Sequence, residues 1–185
     1  MANTRALVPI LRYGSIAGLL VGSILFVTTV AMADQPPSMG IGMAIGYTSM
    51  LLALSAVFLG IKRHRDDALG GVIRFWPAFG IGLGISAVAG IGYVLAWEAA
   101  LAATGLDYGA KYAEHLLAER TAAGASAAEL AKYAAELNAF RLQYANPLYR
   151  MPMTFTEIFP VGVLVSLISA ALLRKPEFLR APRNL

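Results

Sequence analysis

Residues 75–97 read FWPAFGIGLGISAVAGIGYVLAW, twenty-three residues without one Asp, Glu, Lys, Arg or His. A helix rises 1.5 Å per residue, so a bilayer core of about 30 Å needs roughly 20 such residues. An ionised side chain at the centre of the span would cost about 2.5–3.5 kcal/mol even on the lenient insertion scale. The stretch therefore predicts a membrane-crossing helix, extending to about residue 103. Three further segments of similar character flank it, at about 13–33, 39–61 and 155–173. The predicted fold class is all-α: a four-transmembrane-helix bundle forming one membrane domain over 1–185. Composition agrees, with 58% hydrophobic and only 14% charged residues in 185, against about 25% charged in ordinary globular domains.

The connections differ in kind. Asp34-Gln35-Pro36-Pro37-Ser38 predicts a tight turn that makes the first two helices antiparallel neighbours. Residues 62–74 predict a charged loop with a Gly70-Gly71 break. Residues 104–152 are long enough to fold into a small helical hairpin inserted between the third and fourth spans. With no cysteine, disulfides, thiolate catalysis and cysteine-ligated metals are excluded.

Lysine and arginine set the expected orientation. Arg5 and Arg12 precede the first span, Lys62, Arg63, Arg65 and Arg74 follow the second, and Arg174, Lys175, Arg180 and Arg183 follow the fourth. Four crossings put these regions on one side, the cytoplasm, and the 104–152 lobe on the other. That lobe carries five basic and five acidic residues, so it does not oppose the assignment. The basic pI of about 9.5 thus reflects membrane topology and not nucleic-acid binding. Arg5, Arg12 and the Ala31-Met32-Ala33 run also resemble a secretory signal cleaved after Ala33. An apolar run of about 20 residues with a glycine repeat favours an uncleaved first helix instead.

Within the lobe, a helix is expected from Leu106 to about Ala122. Ser126-Ala127-Ala128-Glu129 is a capping box that opens a second. Leu130, Tyr133, Leu137, Phe140 and Tyr144 then fall at helical spacing on one apolar stripe. It must bury against the sister helix and the membrane surface, or against a partner protein.

Small residues recur every four positions: Gly14, Gly18 and Gly22 in the first span, Gly42 and Gly46 in the second, Gly80 and Gly84 in the third, and Gly162, Ser166 and Ala170 in the fourth. Such stripes let backbones approach in lipid, where apolar burial gives no drive to associate. They predict close packing within the bundle, with a homo-oligomer as the alternative.

Candidate chemistry is sparse. Glu98 lies 23 residues after Phe75, roughly 35 Å along a helix, and is placed at the outer interface with Tyr93 and Trp97. Thr154-Phe155-Thr156-Glu157 reads as a capping box opening the fourth helix. On that reading no titratable side chain remains in the hydrocarbon region, and a proton relay is not expected. Glu98, Glu157 and His115 are the tentative polar site at the outer mouth. His115 and Glu119 are too few for a metal site, and Lys62-Arg63-His64-Arg65 reads as a cytoplasmic anchor. No catalytic, cofactor-binding or metal-ligating set is expected. Trp76 and Trp97 read as the two interfacial belts.

A series of short runs resembles a known family. Gly46-Tyr47-Thr48-Ser49-Met50, Gly60-Ile61-Lys62-Arg63-His64-Arg65-Asp66 and Gly70-Gly71-Val72-Ile73-Arg74-Phe75 come first. Gly124-Ala125-Ser126, Asn146-Pro147 and Thr154-Phe155-Thr156-Glu157-Ile158-Phe159-Pro160-Val161-Gly162 follow. Their order and spacing resemble the bacterial membrane family called domain of unknown function 4199, from about Leu7 to Lys175. The resemblance implies a four-helix protein of the bacterial inner membrane and no particular activity. It departs at Phe75-Trp76-Pro77, where members often carry a basic residue after the aromatic pair.

Three roles follow as expectations. The first is a non-enzymatic accessory or structural component, working through the lipid bilayer and a membrane-protein partner or a second copy. The others are a channel or carrier for a small neutral solute, and a membrane enzyme acting at the outer interface.

Overall fold

A computed structural model of the chain describes residues 2–33 and 38–179. Asp34, Gln35, Pro36, Pro37, Arg180 and Arg183 lie outside these, so the expected turn does too. The described residues form six helices: α1 (Ala2–Ala31), α2 (Met39–Ala68), α3 (Phe75–Thr104), α4 (Tyr108–Ala122), α5 (Ala127–Tyr144) and α6 (Pro147–Leu173). Four of them, α1, α2, α3 and α6, are long and apolar enough to cross a membrane.

These four form one bundle. α3 packs along α1 and α6, α2 packs along the same two, and α2 also meets α3 across the middle. The core is shared by all four, with Val21, Leu54, Val57, Ile61, Ile85, Ala89 and Ile158 almost wholly enclosed. Their outward faces are apolar as well, as Leu19, Leu52, Leu95 and Leu164 show, which suits a lipid surround and not water.

The small residues decide where the helices touch. A Cβ on Gly92 would stand 2.9 Å from Gly18 Cα, and one on Gly18 would stand 3.3 Å from Ala89 Cα. The α1–α3 seam is therefore backbone against backbone. Gly14 and Gly22 abut the same helix at Val88 and Ala96, and Gly84 abuts Ile10. Across α3 and α6, Gly82 faces Ser166 and Gly162 faces Ser86, and the two serine hydroxyls lie 3.3 Å apart. Gly46 and Gly80 have open space where a Cβ would be.

Three helices exceed the expected spans, α1 by starting at Ala2 instead of about residue 13. α2 runs through the segment read as a charged loop and ends at Ala68, before the left-handed Gly70 and Gly71. This extra length carries Arg65 inside. Its guanidinium is fully buried and donates to the carbonyls of Phe178 at 2.9 Å and Leu179 at 3.1 Å, just past the end of α6. A cation suits that place, because unsatisfied carbonyls give a helix C-terminus partial negative charge. Asp66 sits between Arg65 and Lys62, 2.7 Å from each.

α6 starts eight residues earlier than 155. Asn146 caps it through a bond from the Leu148 N–H at 3.0 Å, and Pro147 occupies the first turn, where a missing N–H costs nothing. The Thr154 hydroxyl donates back to the Arg150 carbonyl, as a serine or threonine inside a helix does. The expected capping box of Thr154 and Glu157 is thus absent, and Glu157 lies within the apolar span.

Between α3 and α6, α4 and α5 lie side by side in opposite directions: Asp107 meets Arg141, Tyr112 meets Phe140 and Arg120 meets Tyr133. The Ser126–Glu129 capping box is present in both directions. Of the apolar stripe, Leu137 and Tyr144 are buried.

Candidate functional site

Tyr93 and Trp97 are one turn apart near the end of α3, so they face the same way. Both are turned inward and buried. Trp97 is therefore not a lipid-facing belt residue, unlike Trp76, which is 73% exposed. The Trp97 indole N–H donates to the Tyr144 hydroxyl at 2.9 Å, so a residue of α5 plugs into the bundle. Tyr108 completes the cluster, edge-on to Trp97 at 5.1 Å and tilted against Tyr144 at 5.6 Å. Enclosure among these rings pushes the Tyr144 hydroxyl up to about 12 and raises that of Tyr108, because a phenolate would lose its hydration there.

Beside the cluster lies a cavity of about 740 Å³. Its walls come from the ends of α1 and α2 nearest the α4–α5 lobe, including Ile24, Met43 and Met50. Its floor holds Tyr93 and Glu157, and α4 supplies Tyr108, Tyr112 and His115. Gly42 and Gly46 line the α2 wall, so two of the predicted packing glycines keep a cavity open on this chain. Beneath the floor, Val21, Leu54, Ile85 and Ile158 are packed without exposure. The cavity is thus blind toward the end of the bundle that carries Arg65.

Glu157 is the carboxyl group that α6 contributes to the cavity. The Tyr93 hydroxyl donates to its Oε2 at 3.2 Å. Tyr93 lies four residues, about 6 Å along the helix, inside Trp97. Glu157 is an interior residue of α6 and not the first-turn capping residue that was expected. The reason is local: a helix that starts at Pro147 makes position 157 interior, not a first turn.

The three tentative site residues are divided by the structure. Glu157 and His115 line the same cavity. Glu98 points elsewhere, into a forked ion pair in which Arg150 Nε donates to Oε1 at 2.7 Å. Arg150 also donates to the Tyr144 carbonyl at 3.1 Å, so this pair fastens α3, α5 and α6 together. His115 stands on an exposed face, 3.3 Å from Glu119. Among the described residues, no three of His, Asp and Glu gather as metal ligands would.

The sequence reading missed Tyr93, Tyr108 and Tyr144 as a group. Tyr144 was visible as the end of the α5 stripe, but only the fold joins it to Trp97.

The model of the family described as Protein of unknown function (DUF4199) matches residues 12–175. The chain belongs to that family. Its match covers all four apolar helices, save the first turns of α1, and the whole cavity. No curated protein and no solved structure shows significant similarity to the chain.

Proposed function

We propose that this family member is a multi-pass protein of the bacterial inner membrane. On this reading both termini are cytoplasmic and the α4–α5 lobe is outside. Its role is that of a non-enzymatic accessory component whose binding surface is the blind cavity under the lobe. The basic residues support the orientation, since Arg12 on α1, Lys62, Arg63 and Arg65 near the end of α2, and Arg174 and Lys175 after α6 lie toward one end of the bundle. One observation carries the role. A cavity of about 740 Å³ falls within the range of small-molecule sites, which are apolar with a few placed polar groups. Here the polar groups are Glu157 and the Tyr93 hydroxyl.

A carrier for a small solute is the second reading. It is favoured by the Gly82–Ser166 and Gly162–Ser86 contacts below the floor, where small side chains would let α3 and α6 slide to open the other side.

Ser49 lines the cavity and is otherwise enclosed, and the chain has no native cysteine. In the Ser49→Cys protein, a water-soluble, membrane-impermeant methanethiosulfonate added to intact cells should modify the thiol. Gly46→Trp on the same background should block it, because Gly46 opens onto the cavity. Modification from the cytoplasmic side alone contradicts the proposal; modification from both sides favours the carrier.

A further inference from the structure

Glu157 sits at the floor of the cavity with one hydrogen-bond partner among the described residues, the neutral Tyr93 hydroxyl. The other carboxylate and guanidinium groups nearby are spoken for: Glu98 with Arg150, and Asp107 with Arg141. The other charged side chains lining the cavity are Lys111 and Glu114, one cation and one anion on α4. His115 lies against Glu119. With Lys111, Glu114 and Glu157 in the lining and His115 neutral, the lining carries a formal excess of one acidic group. Glu157 is exposed to the cavity, so a cation that enters can reach the carboxylate and form a charge-assisted bond with it.

The surrounding rings narrow the class of cation. Tyr93, Trp97, Tyr108 and Tyr144 all border the cavity, and aromatic faces attract weakly hydrated organic cations through the ring quadrupole. A small metal ion would need several oxygen ligands, which one carboxylate and phenols do not supply. The opposite wall, with Ile24, Leu25, Met43 and Met50, is apolar and, through its methionines, adaptable.

We infer that the cavity binds an organic ammonium ion with an apolar body, its charged head on Glu157 among the tyrosines and its body against α1 and α2. The inference rests on the cavity being a binding site, and it names the ligand's chemistry. An amine-bearing lipid headgroup and a free lipophilic amine share that chemistry.

Trp97 is a built-in reporter, since the chain has two tryptophans and the other, Trp76, is exposed at the far end of α3. In Trp76→Phe protein in non-ionic detergent, benzyltrimethylammonium should change Trp97 fluorescence saturably. Glu157→Gln should weaken that binding at least tenfold. Asp67→Asn, which removes an exposed carboxylate outside the cavity lining, should hold it within threefold. The neutral isostere neopentylbenzene should bind at least tenfold more weakly than the cation to the parent protein, a comparison that needs no variant at position 157. Equal binding of cation and isostere, or an unchanged affinity in Glu157→Gln, overturns the inference. So does the absence of any saturable response to the cation. The binding-site reading itself is judged separately, by modification of Ser49→Cys. Competition by nanodiscs of phosphatidylethanolamine, but not of phosphatidylglycerol, upholds the inference with a lipid as the source. Binding without such competition upholds it with a free amine.

Discussion

The Trp97 indole N–H donates to the Tyr144 hydroxyl at 2.9 Å, and this bond ties the α4–α5 lobe to the bundle. Both groups are buried, so neither finds water if the other is removed. Tyr144→Phe keeps the ring and leaves the indole N–H unpaired. The expected loss is about 1–3 kcal/mol, read as a lowered thermal midpoint in detergent. In the Trp97→Phe, Tyr144→Phe double variant the losses should be less than additive, since one bond is counted in both.

The α1–α3 seam makes a sharper contrast. Gly92→Ala puts a Cβ 2.9 Å from the Gly18 Cα, and neither backbone can yield without parting the helices. Overpacking of this kind costs about 1–3 kcal/mol or more. Gly80→Ala, on the same helix, meets nothing within 4 Å and should change stability by less than about 1 kcal/mol, the scale of helix propensity. Equal effects on the thermal midpoint would refute the seam.

Arg65 holds the chain beyond α6. Its fork donates to the carbonyls of Phe178 and Leu179 while Nε donates to Asp66 at 2.7 Å. Lysine keeps the charge but cannot reproduce a planar fork. Arg65→Lys should therefore destabilise the protein by about 1–3 kcal/mol and speed limited proteolysis after Leu173. Unaltered cleavage would show that the fork does not secure the tail.

The lobe should be sensitive to both acid and alkali. Asp107 caps α4 through the Ala110 N–H at 2.9 Å and pairs with Arg141. The Arg141 bond, then the backbone bond, holds its carboxyl below the usual range. A depressed folded pKa adds stability above the unfolded value, near 3.9, that is lost as pH falls through the lower folded value. Tyr144 runs the other way. Its raised folded pKa adds nothing to lose below about 10, and stability declines as pH climbs from there toward about 12. Far-ultraviolet circular dichroism against pH should show acid loss of helix that Asp107→Asn diminishes, because the titrating group is gone. An unchanged acid limb in that variant would rule Asp107 out as its source.

How much of this was legible in the sequence depended on the range of the interaction. The start and end of α3 and the Ser126–Glu129 box follow from hydropathy and residues three apart, and both stand in the fold. Thr154 and Glu157 carried the same three-residue signature and misled, because Asn146-Pro147 had already started the helix. That pair is itself a start signal, an N-cap residue followed by proline. Its recognition would have placed Glu157 inside a span. Which helix the Gly14, Gly18 and Gly22 stripe would meet was beyond reach, since small-residue spacing is silent about its partner. The burial of Arg65 and the meeting of Tyr93, Trp97, Tyr108 and Tyr144 depend on contacts between elements far apart in the chain. No local pattern encodes them.

Access to the cavity in the cell depends on which side of the membrane the α4–α5 lobe occupies. Ala128 in the lobe and Asp67 at the end of α2 are both exposed, and each can be replaced by cysteine in a chain that has none. The decisive measurement is labelling of Ala128→Cys and Asp67→Cys by a membrane-impermeant maleimide, in intact and in permeabilised cells. The account predicts that Ala128→Cys is labelled in intact cells and Asp67→Cys only after permeabilisation. Labelling of Asp67→Cys in intact cells, with Ala128→Cys protected, would contradict it.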